Sequence, residues 1–423
     1  MKKYLLFLLV PLVLFSQPRR RSGEEFLPKF SPFSILLLPD SGSYYNLYFA
    51  YNIPFDKLVF QKGNSHFETS IRLTIEIQDS TKNLISREYD QKKVIADSFD
   101  DTKNKSLSVQ GFIKTKIQGG NYLVEPKLKD LNSEGEFPFP PENLNIKDFY
   151  KLNVIKPFII NSEMVNCGDY DYYSIANHGD HIPFSKEFYD IIIPVNDTSV
   201  NYLDINFIES KDTVLSQRVY SFYRGNLSPE ICSNAIILQR EDSTRSLNYF
   251  LVKRVNKNLV EGNVSLEIRK EDKPDVIKFN IPVVWDNKPF SLRNPERAIE
   301  SLKFIESDST ISALLDSNED DYKDELFSYW KKFDPTPQTS FNELMAEYYE
   351  RIDYADKEFR GIGRQSGINS DRSKVYVRYG KPDNIERNSN ADGNVIEKWT
   401  YNNPERVFVF IDKRGTGNFT LVE

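Results

Sequence analysis

The 423-residue chain carries 55 Lys and Arg against 62 Asp and Glu, a net charge of −7, with only 3 His and 2 Cys. At about 150 residues per domain this length suggests two or three domains, and the acidic balance argues against a general nucleic-acid binder, whose affinity comes from Lys and Arg neutralising phosphates. So few His and Cys exclude zinc ribbons, iron–sulfur sites and disulfide-dense scaffolds, and an aromatic content of 13% excludes a disordered chain.

Lys2 and Lys3 precede an apolar run from Tyr4 to Phe15, broken only by Pro11; Ser16, Gln17 and the cluster Arg19-Arg20-Arg21 follow. Roughly 12 apolar residues fall short of the roughly 20 that a bilayer span needs, but they fit the centre of a secretory signal. The order reads as a signal peptide over residues 1–16 and a linker over 17–32. No Cys stands near the cut, which argues against a lipid anchor. The processed protein is expected to be exported, periplasmic or secreted, and not membrane-spanning. Export places Cys167 and Cys232 in an oxidising setting, but spacing alone leaves open both a disulfide and two separate thiols.

From about Phe33 to Val284 the dominant signal is period-two alternation, clearest in Ile71-Arg72-Leu73-Thr74-Ile75-Glu76-Ile77. Successive side chains of a strand point to opposite faces, so this pattern predicts half-buried antiparallel strands. An internal repeat divides the region. Residues 73–88 align without a gap on 203–218, an offset of 130, with Leu73, Ile75, Ser80 and Ser86 answered by Leu203, Ile205, Ser210 and Ser216. Gly120-Asn121 and Val124-Glu125 are answered by Gly262-Asn263 and Leu266-Glu267 at an offset of 142, which predicts an insertion of 12 residues in the second copy, about one surface loop. The expectation is two tandem immunoglobulin-like β-sandwiches, 33–150 and 151–290. Phe137-Pro138-Phe139-Pro140-Pro141 reads as a stiff loop or linker edge near the end of the first.

After Trp285 the period changes. Asn294 caps and Pro295 opens a helical stretch, a second helix is expected from about Asp320 to Lys332, and Ser340 with Glu343 suggests a capping box for a third. Phe341, Leu344, Met345, Tyr348, Ile352, Ala355 and Phe359 form its apolar stripe. Alternation returns in Val375-Tyr376-Val377-Arg378-Tyr379 and in three later segments. Residues 291–423 are therefore expected to be an α+β domain, with helices over 294–360 and an antiparallel meander over 374–422.

Motifs for chemistry fail one by one. His178-Gly179-Asp180-His181 lacks a third ligand and reads as a solvated loop, not a metal site. Asp316 to Asp320 begins like a calcium loop, but Asp321 and Phe327 stand where Gly and Glu are required. Gly361, Gly363 and Gly367 follow a helix, so they do not make a dinucleotide fingerprint. No metal and no cofactor is expected.

The stretch from Phe327 to Glu423 resembles the GWxTD domain, a bacterial domain found in exported proteins. The resemblance rests on Tyr329-Trp330-Lys331-Lys332-Phe333-Asp334-Pro335-Thr336-Pro337, Glu347-Tyr348-Tyr349-Glu350-Arg351, Asp371-Arg372, Val375 to Asp383, Glu397-Lys398-Trp399-Thr400-Tyr401 and Phe408 to Asp412. In the naming pentapeptide, Gly367-Ile368-Asn369-Ser370-Asp371, Ile368 stands where the family has Trp and Ser370 replaces Thr. The resemblance implies β-rich domains ahead of the module but no substrate and no catalytic residues. Within it, Asp371 and Arg372 ahead of a strand, Glu397 and Trp399 on one face of a later strand, and Arg351 on the helix are the candidate residues for binding a ligand or partner. The competing reading makes Asp371 and Arg372 a pair that pins a loop and Trp399 a core residue. The sequence favours a non-enzymatic envelope or secreted protein that binds an envelope protein or a glycan. The rival is a carboxylate hydrolase with its site where the second sandwich meets the C-terminal domain. Asp79-Ser80-Thr81, Asp212-Thr213-Val214, Asp242-Ser243-Thr244 and Asp308-Ser309-Thr310 also resemble acceptor tripeptides for O-glycosylation in some exported bacterial proteins.

Overall fold

A computed structural model describes residues 33–40, 43–104, 106–132, 135–147, 154–241, 246–271, 273–363 and 366–422. The signal-like segment 1–16, the linker 17–32 and the tripeptide 242–244 lie outside the described residues. The protein is mostly β, and among the described residues the α-helices lie in its C-terminal third.

The first body is built from β1 (Phe33–Pro39), β2 (Tyr45–Pro54), β3 (Gln61–Lys62), β4 (Phe67–Asp79), β5 (Leu84–Ala96), β6 (Ser108–Ile117), β7 (Gly120–Asp130), β8 (Glu136–Pro138) and β9 (Glu142–Ile146). One sheet runs β1-β2-β6; the other places β5, β4, β7 and β9 side by side, with β3 and β8 at its margins. Ile71, Leu73, Ile75 and Ile77 alternate inward on β4 and are fully buried, as the period-two pattern requires. The proline-rich stretch is pinned as the edge strand β8 against Lys127–Lys129 of β7. Edge placement suits prolines, which cannot donate to a ladder.

The second body holds β10 (Phe158–Asn161), β11 (Val165–Cys167), β12 (Tyr170–Tyr172), β13 (Ile182–Pro183), β14 (Tyr189–Val195), β15 (Tyr202–Glu209), β16 (Asp212–Cys232), β17 (Ala235–Glu241), β18 (Leu247–Val252), β19 (Gly262–Lys270) and β20 (Val276–Val284). Its strand order repeats that of the first: β10-β14-β18 answers β1-β2-β6, and β16-β15-β19-β20 answers β5-β4-β7-β9. The register repeats too. The bulge between Ile77 and Gln78 returns between Phe207 and Ile208, and the pair Ile75–Pro126 returns as Ile205–Ile268. The expected 12-residue insertion is not one surface loop. β16 pairs first with β15, then with β18, then with β17, and the β18–β19 connection, residues 253–261, is longer than the β6–β7 connection, residues 118–119.

The Ile191-Ile192-Ile193 run on β14 is buried on both faces: Ile191 and Ile193 join one core, Ile192 the other. The core holding Ile192 continues into the first body through Phe158, Ile160 and Tyr249. The core holding Ile191 runs on under the helices, where Phe184, Trp285 and Phe341 meet with ring centroids 5.2–5.6 Å apart.

The C-terminal region contains α1 (Pro295–Glu300), α2 (Asp308–Leu314), α3 (Tyr322–Lys331), α4 (Glu343–Glu358) and α5 (Asp371–Tyr379), followed by β21 (Asn384–Ser389), β22 (Val395–Asn402), β23 (Glu405–Asp412) and β24 (Thr420–Leu421) in sheet order. Asn294 caps α1, accepting from Arg297 N at 3.0 Å. The cap of α4 is Asn342, not Ser340: its Oδ1 accepts from Met345 N at 2.9 Å while its Nδ2 donates to Trp330 O at 2.8 Å, tying α3 to α4. Residues 375–379, expected as a strand, belong to α5. Arg372, Val375, Tyr376 and Tyr379 recur at helical spacing as well, and burial of Val375 and Val377 overrides the weak strand preference of the β-branched residues. The meander therefore starts at Asn384. Among the described residues no helix is long and apolar enough to cross a membrane.

Candidate functional site

The pentapeptide Gly367 to Asp371 lies between α4 and α5, and each position has a visible task, that of Asn369 being to accept from Lys303 Nζ at 2.9 Å. A Cβ on Gly367 would meet the Phe359 carbonyl carbon at 2.6 Å and Ala355 O at 2.7 Å, so only glycine allows the turn to lie on the end of α4. Gly367 N donates to Asp356 O at 2.9 Å. Ile368 packs half-buried against the core. Ser370 is the N-cap of α5, its Oγ accepting from Ser373 N at 3.2 Å, and Ser373 Oγ donates back to Gly367 O at 2.7 Å. Asp371 accepts from Lys374 Nζ at 2.8 Å and from Leu421 N at 3.0 Å, fastening β24 to the start of α5. The Lys374 hydrogen bond holds its carboxyl below the ordinary carboxylate range.

One helical turn away lies a buried knot of charge. Glu397, 3% exposed, receives Trp399 Nε1 at 2.8 Å and Arg372 Nη1 at 3.5 Å on one oxygen, and Arg387 Nε at 3.1 Å on the other. Arg372 also donates to Gly417 O at 3.2 Å and lies 4.2 Å from the centroid of Phe419 and 4.9 Å from that of Phe359. Burial pulls its guanidinium below the usual arginine value, against the pull of Glu397. Trp399 is fully buried against Phe410, at 4.8 Å.

Arg372, Glu397 and Trp399 are thus brought together, and Asp371 joins them only through the backbone of α5. Arg351 lies elsewhere, at the far end of α5, donating to Val377 O at 3.4 Å and pairing with Glu347 on its own helix. Arg387 escaped the sequence reading; its signal was its cross-strand position opposite Glu397.

The parity that turns Glu397 and Trp399 inward turns Ile396, Lys398 and Thr400 outward. Across the sheet Ile396 faces Ile411, Lys398 faces Val409 and Thr400 faces Val407, and Val422 N donates to Val409 O at 2.8 Å. Ile396, Val409 and Ile411 stay half-exposed, Val407 and Val422 exposed. The outer face is an aliphatic patch edged by Lys398 and Glu386.

The His178–His181 loop is not the solvated segment expected. His181 is buried, with Nε2 2.8 Å from Asp286 Oδ1 and Nδ1 2.9 Å from Gly179 O; His178 Nδ1 lies 3.2 Å from Asp286 Oδ2. Burial works to raise the Asp286 carboxyl, but the hydrogen bonds from both imidazoles outweigh it and hold the group down to about 2. The same loop reaches the first body, where Asp180 Oδ1 accepts from Ile35 N at 3.1 Å and Gly179 N donates to Ser34 Oγ at 3.1 Å. Among the described residues no cluster of three or more His, Cys, Asp or Glu is placed to hold a metal. Cys167 and Cys232 are joined by a disulfide, with Cα atoms 6.2 Å apart.

The C-terminal region is therefore an α+β module, helices on one face of an antiparallel sheet, whose core continues into the adjoining sandwich. Residues 269–422 match the family model of the GWxTD domain, so the chain carries a GWxTD domain. The match begins at the end of β19, inside the second body. No curated protein matches the chain.

Proposed function

We propose that this is an exported, non-enzymatic binding or scaffolding protein whose C-terminal module docks a protein partner on the outer face of β21–β24. The observation that carries this reading is the aliphatic patch of Ile396, Val407, Val409, Ile411 and Val422 on a face turned away from the module's own core. A surface of branched aliphatic side chains without aromatic rings suits a protein interface better than a sugar. The charged residues of the family motif are consumed internally, which leaves them a structural role. The two sandwiches are immunoglobulin-like spacers, a reading supported by their matching strand order and register. Export is supported by the signal-like N-terminal sequence and by the disulfide.

The rival hydrolase needs paired carboxylates, one with a raised pKa, at the junction. There Asp286 is held low by two imidazoles, which disfavours a general acid. The test is capture from an envelope extract by the processed chain and by Val409→Lys. A defined protein retained by the first and lost by the second, at unchanged thermal midpoint, supports docking on this face. Cleavage of members of a glycan or peptide panel by the wild-type chain overturns it in favour of the hydrolase.

A further inference from the structure

Two hairpins of the second body have no counterpart among the described residues of the first, and they meet. The connection from β1 to β2 spans only residues 40–44, whereas the equivalent connection from β10 to β14 carries the β11–β12 hairpin. The second hairpin is β16–β17. The Cys167–Cys232 disulfide ties the tip of one hairpin to the tip of the other. Between them lies a cleft of about 510 Å³, in the size range of small-molecule sites. Its walls carry aromatic rings: Tyr170 and Tyr172 from the first hairpin, Tyr173 beside it, and Phe222 and Tyr223 from the part of β16 that pairs with β18, just ahead of the second hairpin. Tyr173 and Phe222 meet edge to face at 6.2 Å, and Tyr170 and Tyr172 at 6.5 Å.

Polar groups stand among the rings. Arg240 places its guanidinium 4.7 Å from the centroid of Tyr223 and forms no ion pair among the described residues. Asp171 is held by Asn166, whose Nδ2 donates to Oδ1 at 3.0 Å; among the described residues its Oδ2 takes no hydrogen bond. Gln239 is a third polar group, and Met164, Ile192, Leu227 and Leu238 complete the lining.

We propose that this cleft is a carbohydrate-binding site for a neutral glycan. The faces of a pyranose ring are apolar C–H surfaces that lie on tyrosine and phenylalanine rings, while vicinal hydroxyls donate to Asp171 and accept from Arg240 and Gln239. The alternative occupant of an aromatic groove is a proline-rich peptide, but its backbone offers carbonyl acceptors and few donors, leaving Asp171 unmatched. Charge decides between sugars: Asp171 and Arg240 cancel, so no net field selects an acidic one. The site is separate from the aliphatic face proposed above and does not depend on it.

The experiment is titration calorimetry of the processed, oxidised chain with cellohexaose, maltohexaose, mannohexaose and chitohexaose, with decaproline as the peptide control. Binding of at least one hexasaccharide is expected, weakened tenfold or more by Tyr170→Ala and several-fold by Arg240→Ala. Both side chains are exposed, so thermal midpoints should stay unchanged. The double substitution Cys167→Ser with Cys232→Ser should weaken binding by releasing the wall. Heat from decaproline alone, from none of the sugars, or from a sugar whose affinity ignores Tyr170→Ala overturns the assignment.

Discussion

The two sandwiches share strand order, a bulge and cross-strand register, yet they differ in what surrounds them. The first shares a core with the second, and its β5 leaves Leu84, Ile85, Tyr89 and Ile95 exposed along the outer margin. The second is joined on all sides. Its inner core runs into the helical layer, its other core runs into the first sandwich, and its hairpin tip reaches across to β6, where Asn234 accepts from Gln110 N at 3.2 Å and donates to Ser108 O at 2.7 Å. Asn177 makes a similar bridge, donating to Tyr51 O at 2.7 Å. The lesson is that two bodies of the same strand order keep the same register because inward positions are fixed by burial, while their differences lie in the connections between strands.

The largest expected effect tests how firmly the module depends on its internal charges. Glu397→Ala leaves Arg372 buried without its carboxylate, which should cost about 3–5 kcal/mol and lower the denaturation midpoint accordingly. A loss below about 1 kcal/mol would mean that solvent reaches the knot and that Glu397 is free for other work.

Next comes a matched pair. Ile75 and Ile205 occupy equivalent, fully buried positions, and truncating either to Ala should cost about 3 kcal/mol. The chain has three tryptophans, Trp285, Trp330 and Trp399, all in the shared core of the second sandwich and the module. Ile205→Ala should therefore shift the midpoint read by tryptophan fluorescence. Ile75→Ala should shift peptide circular dichroism more than fluorescence. Equal shifts in both signals would make the molecule one cooperative unit and erase the distinction.

Much of this was legible beforehand where burial is periodic. The alternation on β4 and the repeat offsets of 130 and 142 anticipate not only strands but their register, because each inward residue must find an inward partner. The offsets predict an insertion but not its form, since alternation within β16 continues through Tyr220 without marking where it changes partner. α5 was misread because Val375-Tyr376-Val377 satisfies both periods, and only the cap at Ser370 and the packing under α4 choose between them. Buried polar contacts were the hardest to see. His181, Asp286 and Arg387 look like surface residues in a polar chain, and their partners lie at distances along the sequence that no local spacing reveals.

The smallest effect concerns the joint between the second sandwich and the helical module. In an unfolded chain Asp286 titrates near 3.9, and in the folded protein near 2. A depressed carboxyl contributes stability that is present above the unfolded value and lost as pH falls through the folded one. The window is therefore about pH 4 to 2, with nothing lost between 5 and 8 from this group. With 32% of the side chain exposed, solvent screening reduces the contribution to about 1 kcal/mol. Asp286→Asn should accordingly flatten the acid limb of the stability curve read by tryptophan fluorescence while leaving its slope above pH 5 governed by other groups. Because Asp286 follows directly on Trp285, the acid step should appear in that signal before it appears in peptide circular dichroism. Simultaneous loss in both signals would mean that the acid step is not local to this joint, and would break the contrast between the two bodies.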